Sequence, residues 1–190
     1  MIGIQANGSK SNNETSAGFV FDLKRIRMEA RKEIDEGALT PDYGGDPQAI
    51  INILTGALAT EWICVLRYTQ HQVAAKGIHA ASVAEHFAEH AKEEQEHAMK
   101  IAERIKQLGG KPCLDPAQLV SHSHSEYREC DSLEGMIKEN LIAERIAVES
   151  YTEAIRYIGD KDPTTRRMLE EILAKEEEHA DELADLLQTN

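Results

Sequence analysis

From residue 47 onward, apolar residues recur three and four positions apart in four long runs, the spacing that lines side chains along one face of a helix. The first run carries Leu54, Leu58, Val65 and Tyr68, and the second Val83, Phe87, Ile101 and Leu108. The third carries Ile137, Leu141, Val148, Tyr151, Ile155 and Ile158, and the fourth Leu169, Ile172, Leu183 and Leu186. No segment shows the alternation of a half-buried strand, so the pattern predicts an all-α protein.

Helix punctuation sets the boundaries. Asp46-Pro47 supplies a capping carboxylate with proline at the first helical position, and that helix runs to about Lys76-Gly77. Ser82-x-x-Glu85 reads as a capping box for the second helix, which stops near Gly109-Gly110. Asp131-x-x-Glu134 opens the third, closed by Gly159, and Asp162-Pro163 repeats the Asp-Pro device for the fourth. Short turns join the first helix to the second and the third to the fourth, so each pair folds as a hairpin. Between the hairpins lies GGKPCLDPAQLVSHSHSEYREC, long enough to run the ~42 Å length of such helices. The reading is a four-helix bundle over residues 46–190, with one long crossover between the second and third helices. Residues 1–20 are Ser/Asn/Gly-rich and predicted to be disordered; residues 21–45 form an accessory amphipathic helix (21–39) and a linker.

The same stripes break their own rule in the middle. Glu61 falls between Leu58 and Val65, and Glu144 between Leu141 and Val148. His90, Glu94 and His97 interrupt the second stripe, and Glu176 and His179 the fourth. Buried carboxylates take up protons or find cations, and these stripes offer no Lys or Arg. Four carboxylates with two neutral imidazoles balance two divalent cations. Glu and His three apart share a helix face, so Glu94-x-x-His97 and Glu176-x-x-His179, with one Glu from each remaining helix, match the dimetal arrangement of bundle cores. Mixed oxygen and nitrogen donors suit Fe or Mn, and Zn can bind as well. The design is doubled: Glu61-x6-Tyr68 precedes Glu94-x2-His97 much as Glu144-x6-Tyr151 precedes Glu176-x2-His179.

These stretches, EWICVLRYTQH (61–71), EEQEH (93–97), LIAERIAVESYTEAI (141–155) and EILAKEEEHADEL (171–183), resemble the ferritin-like superfamily, most closely its bacterioferritin and Dps-like branch. The resemblance implies a ferroxidase centre with Glu61, Glu94, His97, Glu144, Glu176 and His179 as ligands, Glu94 and Glu176 bridging. It makes Tyr68 a neighbouring tyrosine able to hydrogen-bond a ligand or donate an electron. It implies a di-iron protein that oxidises Fe(II) with O2 or H2O2 for iron storage and protection against oxidative stress. Its partners would be iron and copies of itself in a homo-oligomeric cage, a 12-mer in preference to a 24-mer because no fifth C-terminal helix follows. Gln95 and Glu96 occupy the stretch where bacterioferritins place a haem-ligating methionine, so no haem is expected. Thioferritins of the Dps-like type carry a cysteine pair, which makes Cys113 and Cys130 candidates, and PAQLVSH could hold the short crossover helix of Dps-like proteins. The competing reading is a self-contained dimetal redox enzyme, similar to a manganese catalase or to a rubrerythrin-like peroxidase. A third is a DNA-shielding shell with incidental metal.

Composition bears on these alternatives. The formal net charge of −13 and the mixed N-terminal region, with six basic and seven acidic residues through position 45, argue against direct nucleic-acid contact. No rubredoxin-type Cys-x-x-Cys is present, and three cysteines do not make a secreted disulfide framework. The first residues lack a signal peptide's pattern, and no membrane span is read, so a cytoplasmic location is expected. HFAEH (86–90) matches the inverted zinc-protease motif, but Glu94 and His97 already occupy that stripe. His90 is placed to contact a ligand or line an ion path; Cys64, one turn from Glu61, reads as a small buried thiol.

Overall fold

A computed structural model describes residues 19–189. The disordered tail expected over 1–20 therefore lies, but for its last two residues, outside the described residues. Helices α1 (Leu23–Glu29), α2 (Pro47–Ala74), α3 (Ala80–Gln107), α4 (Pro116–His122), α5 (Leu133–Ile158) and α6 (Pro163–Thr189) follow in order, with a 3-10 turn at Ile34–Glu36. No strand occurs among the described residues. Helix α2 pairs with α3 and α5 with α6, and α4 lies in the crossover against α2.

The Asp-Pro signals work as caps: the Asp46 carboxylate accepts from the Gln48 and Ala49 amides, and Asp162 from Thr165. Two other boundaries move. Helix α3 starts at Ala80 after His79, and Ser82, already inside the helix, donates its hydroxyl to the His79 carbonyl instead of capping. Helix α5 is capped by Ser132, one residue after the expected Asp131, with its hydroxyl accepting from Gly135 N–H. The accessory helix is much shorter than 21–39. No residue of α1 is buried, so little beyond its Asp22 cap supports it, and the chain turns at Glu33 in the left-handed region.

Two apolar clusters fill the bundle, one at each end. Ile50, Leu54, Leu58, Ile101, Ile105, Ile158, Leu169 and Ile172 form one; Val83, Phe87, Met136, Ile137 and Leu183 form the other around Cys64 and Tyr68. Within the stripes, Val65, Leu141, Val148, Ile155 and Leu186 are only partly buried, and small residues Ala57, Ala98, Ala143 and Ala147 bring the helices together. By length and composition alone helix α2 could cross a membrane. In this fold it is the core helix, and it buries Glu61, Arg67 and His71 inside the bundle.

At one end, a polar knot ties three segments. Arg104 of α3 pairs with both Asp162 oxygens at 3.0 and 2.9 Å and donates to Thr165 Oγ1 at 2.7 Å. Tyr43, from the linker, donates to Asp162 at 2.6 Å. Hydrogen bonds from the Thr165 hydroxyl and amide, and then from Tyr43 and Arg104, hold Asp162 down at about 2 although burial pushes the other way.

Cys113 and Cys130 are both free thiols. Cys113 follows the end of α3 and lies 3.6 Å from Gln118 Oε1, whereas Cys130 packs with Leu133 against the Cys64 and Tyr68 cluster. They are not bonded to each other.

Candidate metal centre

Between the two apolar clusters lies a polar layer built by four helices. Glu61 comes from α2, Glu94 and His97 from α3, Glu144 from α5, and Glu176 and His179 from α6. All six are buried, none more than 3% exposed. Their atoms form two overlapping groups, each within 4.8 Å internally: Glu61, Glu94, His97 and Glu176, then Glu94, Glu144, Glu176 and His179. Glu94 and Glu176 belong to both.

The imidazoles face inward through the same atom. His97 Nδ1 is 2.9 Å from Glu176 and 3.4 Å from Glu61; His179 Nδ1 is 3.2 Å from Glu94. These approaches lack hydrogen-bond alignment. Among the described residues, twelve buried side-chain polar atoms have no hydrogen-bond partner, and eight belong to this layer: one each from Glu61, His97, Glu144 and His179, and both oxygens of Glu94 and Glu176. An unsatisfied buried polar atom is costly, and lone pairs converging on common points from four helices are what a cation would satisfy. The donor set fits two divalent ions of the Fe, Mn or Zn type.

Electrostatics point the same way. Burial first, and then the charges of Glu176, Glu61 and Glu144, push the Glu94 carboxyl well above the ordinary range. Burial followed by Glu61 and Glu144 does the same to Glu176. Burial would also raise Glu61, but the close approach of His97 and Glu94, and then the hydrogen bond from Tyr151, bring it below the ordinary value. Without cations the layer must therefore hold protons.

Two tyrosines clamp the layer reciprocally. Tyr68 of α2 donates to Glu144 of α5, and Tyr151 of α5 donates to Glu61 of α2. Burial and the adjoining glutamates hold both phenols well above their usual range, so they stay hydrogen-bond donors. This pseudo-twofold exchange gives the doubled Glu-x6-Tyr spacing a physical role: each tyrosine, two turns along its helix, reaches the glutamate of the other hairpin.

Several contributing residues escape sequence reasoning. Glu93 accepts from, or pairs with, His179 Nε2 at 2.7 Å, which orients the ring with Nδ1 inward; its only signal is its place beside Glu94. Arg67 is 1% exposed, and its guanidinium contacts Asn140, Ser125, the Glu126 carbonyl and Cys64 Sγ. Two arginines off the stripes, Arg67 and Arg104, are thus buried cations, and Arg67 turns toward the crossover and not the carboxylates. Cys64 is buried, and burial pushes its thiol up to about 12, so it is a neutral packing group. His90 is buried with its Nδ1 at 3.1 Å from Tyr68 Oη, and its ring stacks on His179. Glu89, the glutamate of the protease-like motif, is exposed. His122 and His124 join no candidate ligand cluster among the described residues.

A four-helix bundle with a carboxylate–histidine cluster across its core defines a class of helical metalloproteins. A family model for the ferritin-like domain matches residues 51–190. The chain is 31% identical over 147 residues to the DNA protection during starvation protein of Pyrococcus furiosus, covering 76% of this chain and 80% of that protein. A dodecameric thioferritin structure, the bacterioferritin-related protein of Bacteroides fragilis, superposes with a TM-score of 0.74 at 34% identity, covering 77% of this chain and 88% of that one. Dps from Thermosynechococcus elongatus shares the fold, with a TM-score of 0.71 at 18% identity over 74% of this chain and 90% of that one. The chain belongs to the ferritin-like family, in its Dps-like branch.

Proposed function

We propose that this protein is a ferroxidase that binds two Fe(II) ions per chain and oxidises them for iron sequestration. One ion would be held by Glu61, Glu94, His97 and Glu176 and the other by Glu94, Glu144, Glu176 and His179, Glu94 and Glu176 being shared by both groups. The observation that carries this reading is the set of eight inward-facing, partnerless atoms on six residues of four helices. Each Fe(II) gives one electron. Hydrogen peroxide takes the pair with two protons to become two waters, or O2 takes it with two protons to become peroxide. Holding the two irons together lets the oxidant leave as a two-electron product and limits radical release.

The chain's own groups do the rest. Glu93 keeps His179 in the binding orientation, and Tyr68 and Tyr151 hold Glu144 and Glu61. Protons leave Glu94 and Glu176 as cations arrive. A homo-oligomeric cage is consistent with the dodecameric thioferritin relative, and a 12-mer is the favoured assembly. The name of the Pyrococcus furiosus relative speaks of DNA protection. For this chain the net charge of −13 favours protection by removing Fe(II) and oxidant, without direct DNA contact.

Stepwise addition of Fe(II) to metal-free protein in air tests the reading. Fast, soluble uptake well beyond two irons per chain is expected, with Glu94→Ala abolishing the fast phase. Uptake that stops at two per chain would favour a self-contained dimetal enzyme, to be examined with manganese and peroxide. Unchanged rates in Glu94→Ala would sink the site.

A further inference from the structure

Three side chains outside the dimetal layer converge at its edge. His86 and His90 are four apart on α3 and share one face, and Glu182 of α6 reaches across to them. Glu182 Oε2 is 3.0 Å from His90 Nε2 and 3.8 Å from His86 Nδ1, and the ligand atoms of the three residues all lie within 4.8 Å of one another. Two imidazoles and one carboxylate form a donor set for divalent first-row ions. The side chains of His86 and Glu182 are 40% and 44% exposed, against 2% for His90. One side of the cluster is therefore open to water, while His90 is fixed in the protein.

We infer that His86, His90 and Glu182 form a third divalent-cation site, at the surface beside the dimetal centre, through which Fe(II) passes inward. The site stands on its own three residues; the inward passage rests on the ferroxidase reading above.

Two further observations distinguish it from an ordinary surface His–Glu pair. His90 has its second nitrogen committed: Nδ1 lies 3.1 Å from Tyr68 Oη, and Tyr68 donates to Glu144. A cation on Nε2 requires the proton on Nδ1, which donates to Tyr68 Oη. The chain from cation to His90, Tyr68 and Glu144 is then satisfied at every link, the arrangement that orients metal-bound histidines. The ligand groups also overlap in series. His90, Glu144 and His179 form a fully buried group within the same 4.8 Å limit, and the His90 and His179 rings stack with centroids 4.1 Å apart. The exposed group shares His90 with this middle one, which in turn shares Glu144 and His179 with the dimetal layer. An ion can thus move inward by exchanging a few ligands at a time, never crossing an apolar gap.

Calorimetric titration of metal-free full-length protein with Zn(II) alone tests the site. Wild type is expected to bind three ions per chain and the double variant His86→Ala, Glu182→Gln two. Glu94→Ala is expected to keep the surface ion while losing binding in the layer. An unchanged Zn(II) count in the double variant overturns the surface site. An unchanged count in Glu94→Ala overturns the dimetal reading and leaves the surface site standing. Both substituted side chains are substantially exposed, and matching thermal melts would show that the fold is kept. Passage is read separately by stopped-flow anaerobic loading of Fe(II): the double variant should load about tenfold more slowly to the same two buried ions. Equal loading rates overturn the passage.

Discussion

Glu94→Gln isolates the cost of the carboxylate layer. In metal-free protein, Glu94 lies with Glu144 and Glu176 in a group whose ligand atoms are all within 4.8 Å. Two full charges that far apart repel by roughly 3.5 kcal/mol at an effective dielectric of about 20. Escape by protonation has a ceiling: at pH 7, protonating a glutamate whose free pKa is about 4.3 costs about 3.7 kcal/mol. The two routes agree, so removing this one charge should stabilise the metal-free protein by roughly 3 kcal/mol at pH 7. For a chain of this size that is roughly 6 to 12 °C in melting temperature. The sign with pH follows from the raised Glu94 carboxyl. Folded protein holds a proton that the unfolded chain releases, so the contribution of Glu94 to wild-type stability is most favourable in acid and falls as pH rises above the free glutamate value. At pH 5 the protonation ceiling is only about 1 kcal/mol, and the gap between variant and wild type should shrink to a few degrees. Melts of chelator-treated protein at pH 5 and 7, followed by circular dichroism, measure both numbers. With a saturating divalent cation the order should reverse, since only wild type keeps the full ligand set. A variant that melts at or below metal-free wild type at pH 7, or a gap that does not narrow at pH 5, would refute the reasoning.

Two other outcomes follow from groups away from the layer. Arg67→Met strands Asn140 Oδ1, Ser125 Oγ and the Glu126 carbonyl; it should cost about 3 kcal/mol in urea unfolding, and a loss under 1 kcal/mol would show that the crossover does not depend on this arginine. Asp162, held down at about 2, contributes stability that is complete above the free aspartate value and lost only as pH falls through about 2. Asp162→Asn should therefore lower the melting temperature at pH 7 and narrow its deficit toward pH 2; a deficit independent of pH would contradict the ionic role of the knot.

Much of this architecture was legible because the chain states it twice. Buried ionisable residues at apolar-stripe positions, repeated as Glu-x-x-His in two helices, could be placed in one layer from spacing alone, and the Asp-Pro caps located α2 and α6. What escaped notice depends on contacts between distant segments. Arg67 lies off the stripe, and its burial depends on Ser125 and Glu126 of the crossover. Glu93 looks like a solvated neighbour of Glu94 until α6 brings His179 against it. The Ser82 box failed because a serine can bond back to a carbonyl as readily as it can cap, and spacing does not distinguish the two.

The most direct test is iron-edge anomalous diffraction from crystals soaked in Fe(II) without oxygen. Two peaks per chain are expected in the polar layer, one beside Glu61 and His97, the other beside Glu144 and His179, both in contact with Glu94 and Glu176. A layer with no anomalous density, or with one ion that leaves either histidine unligated, would contradict the dimetal assignment.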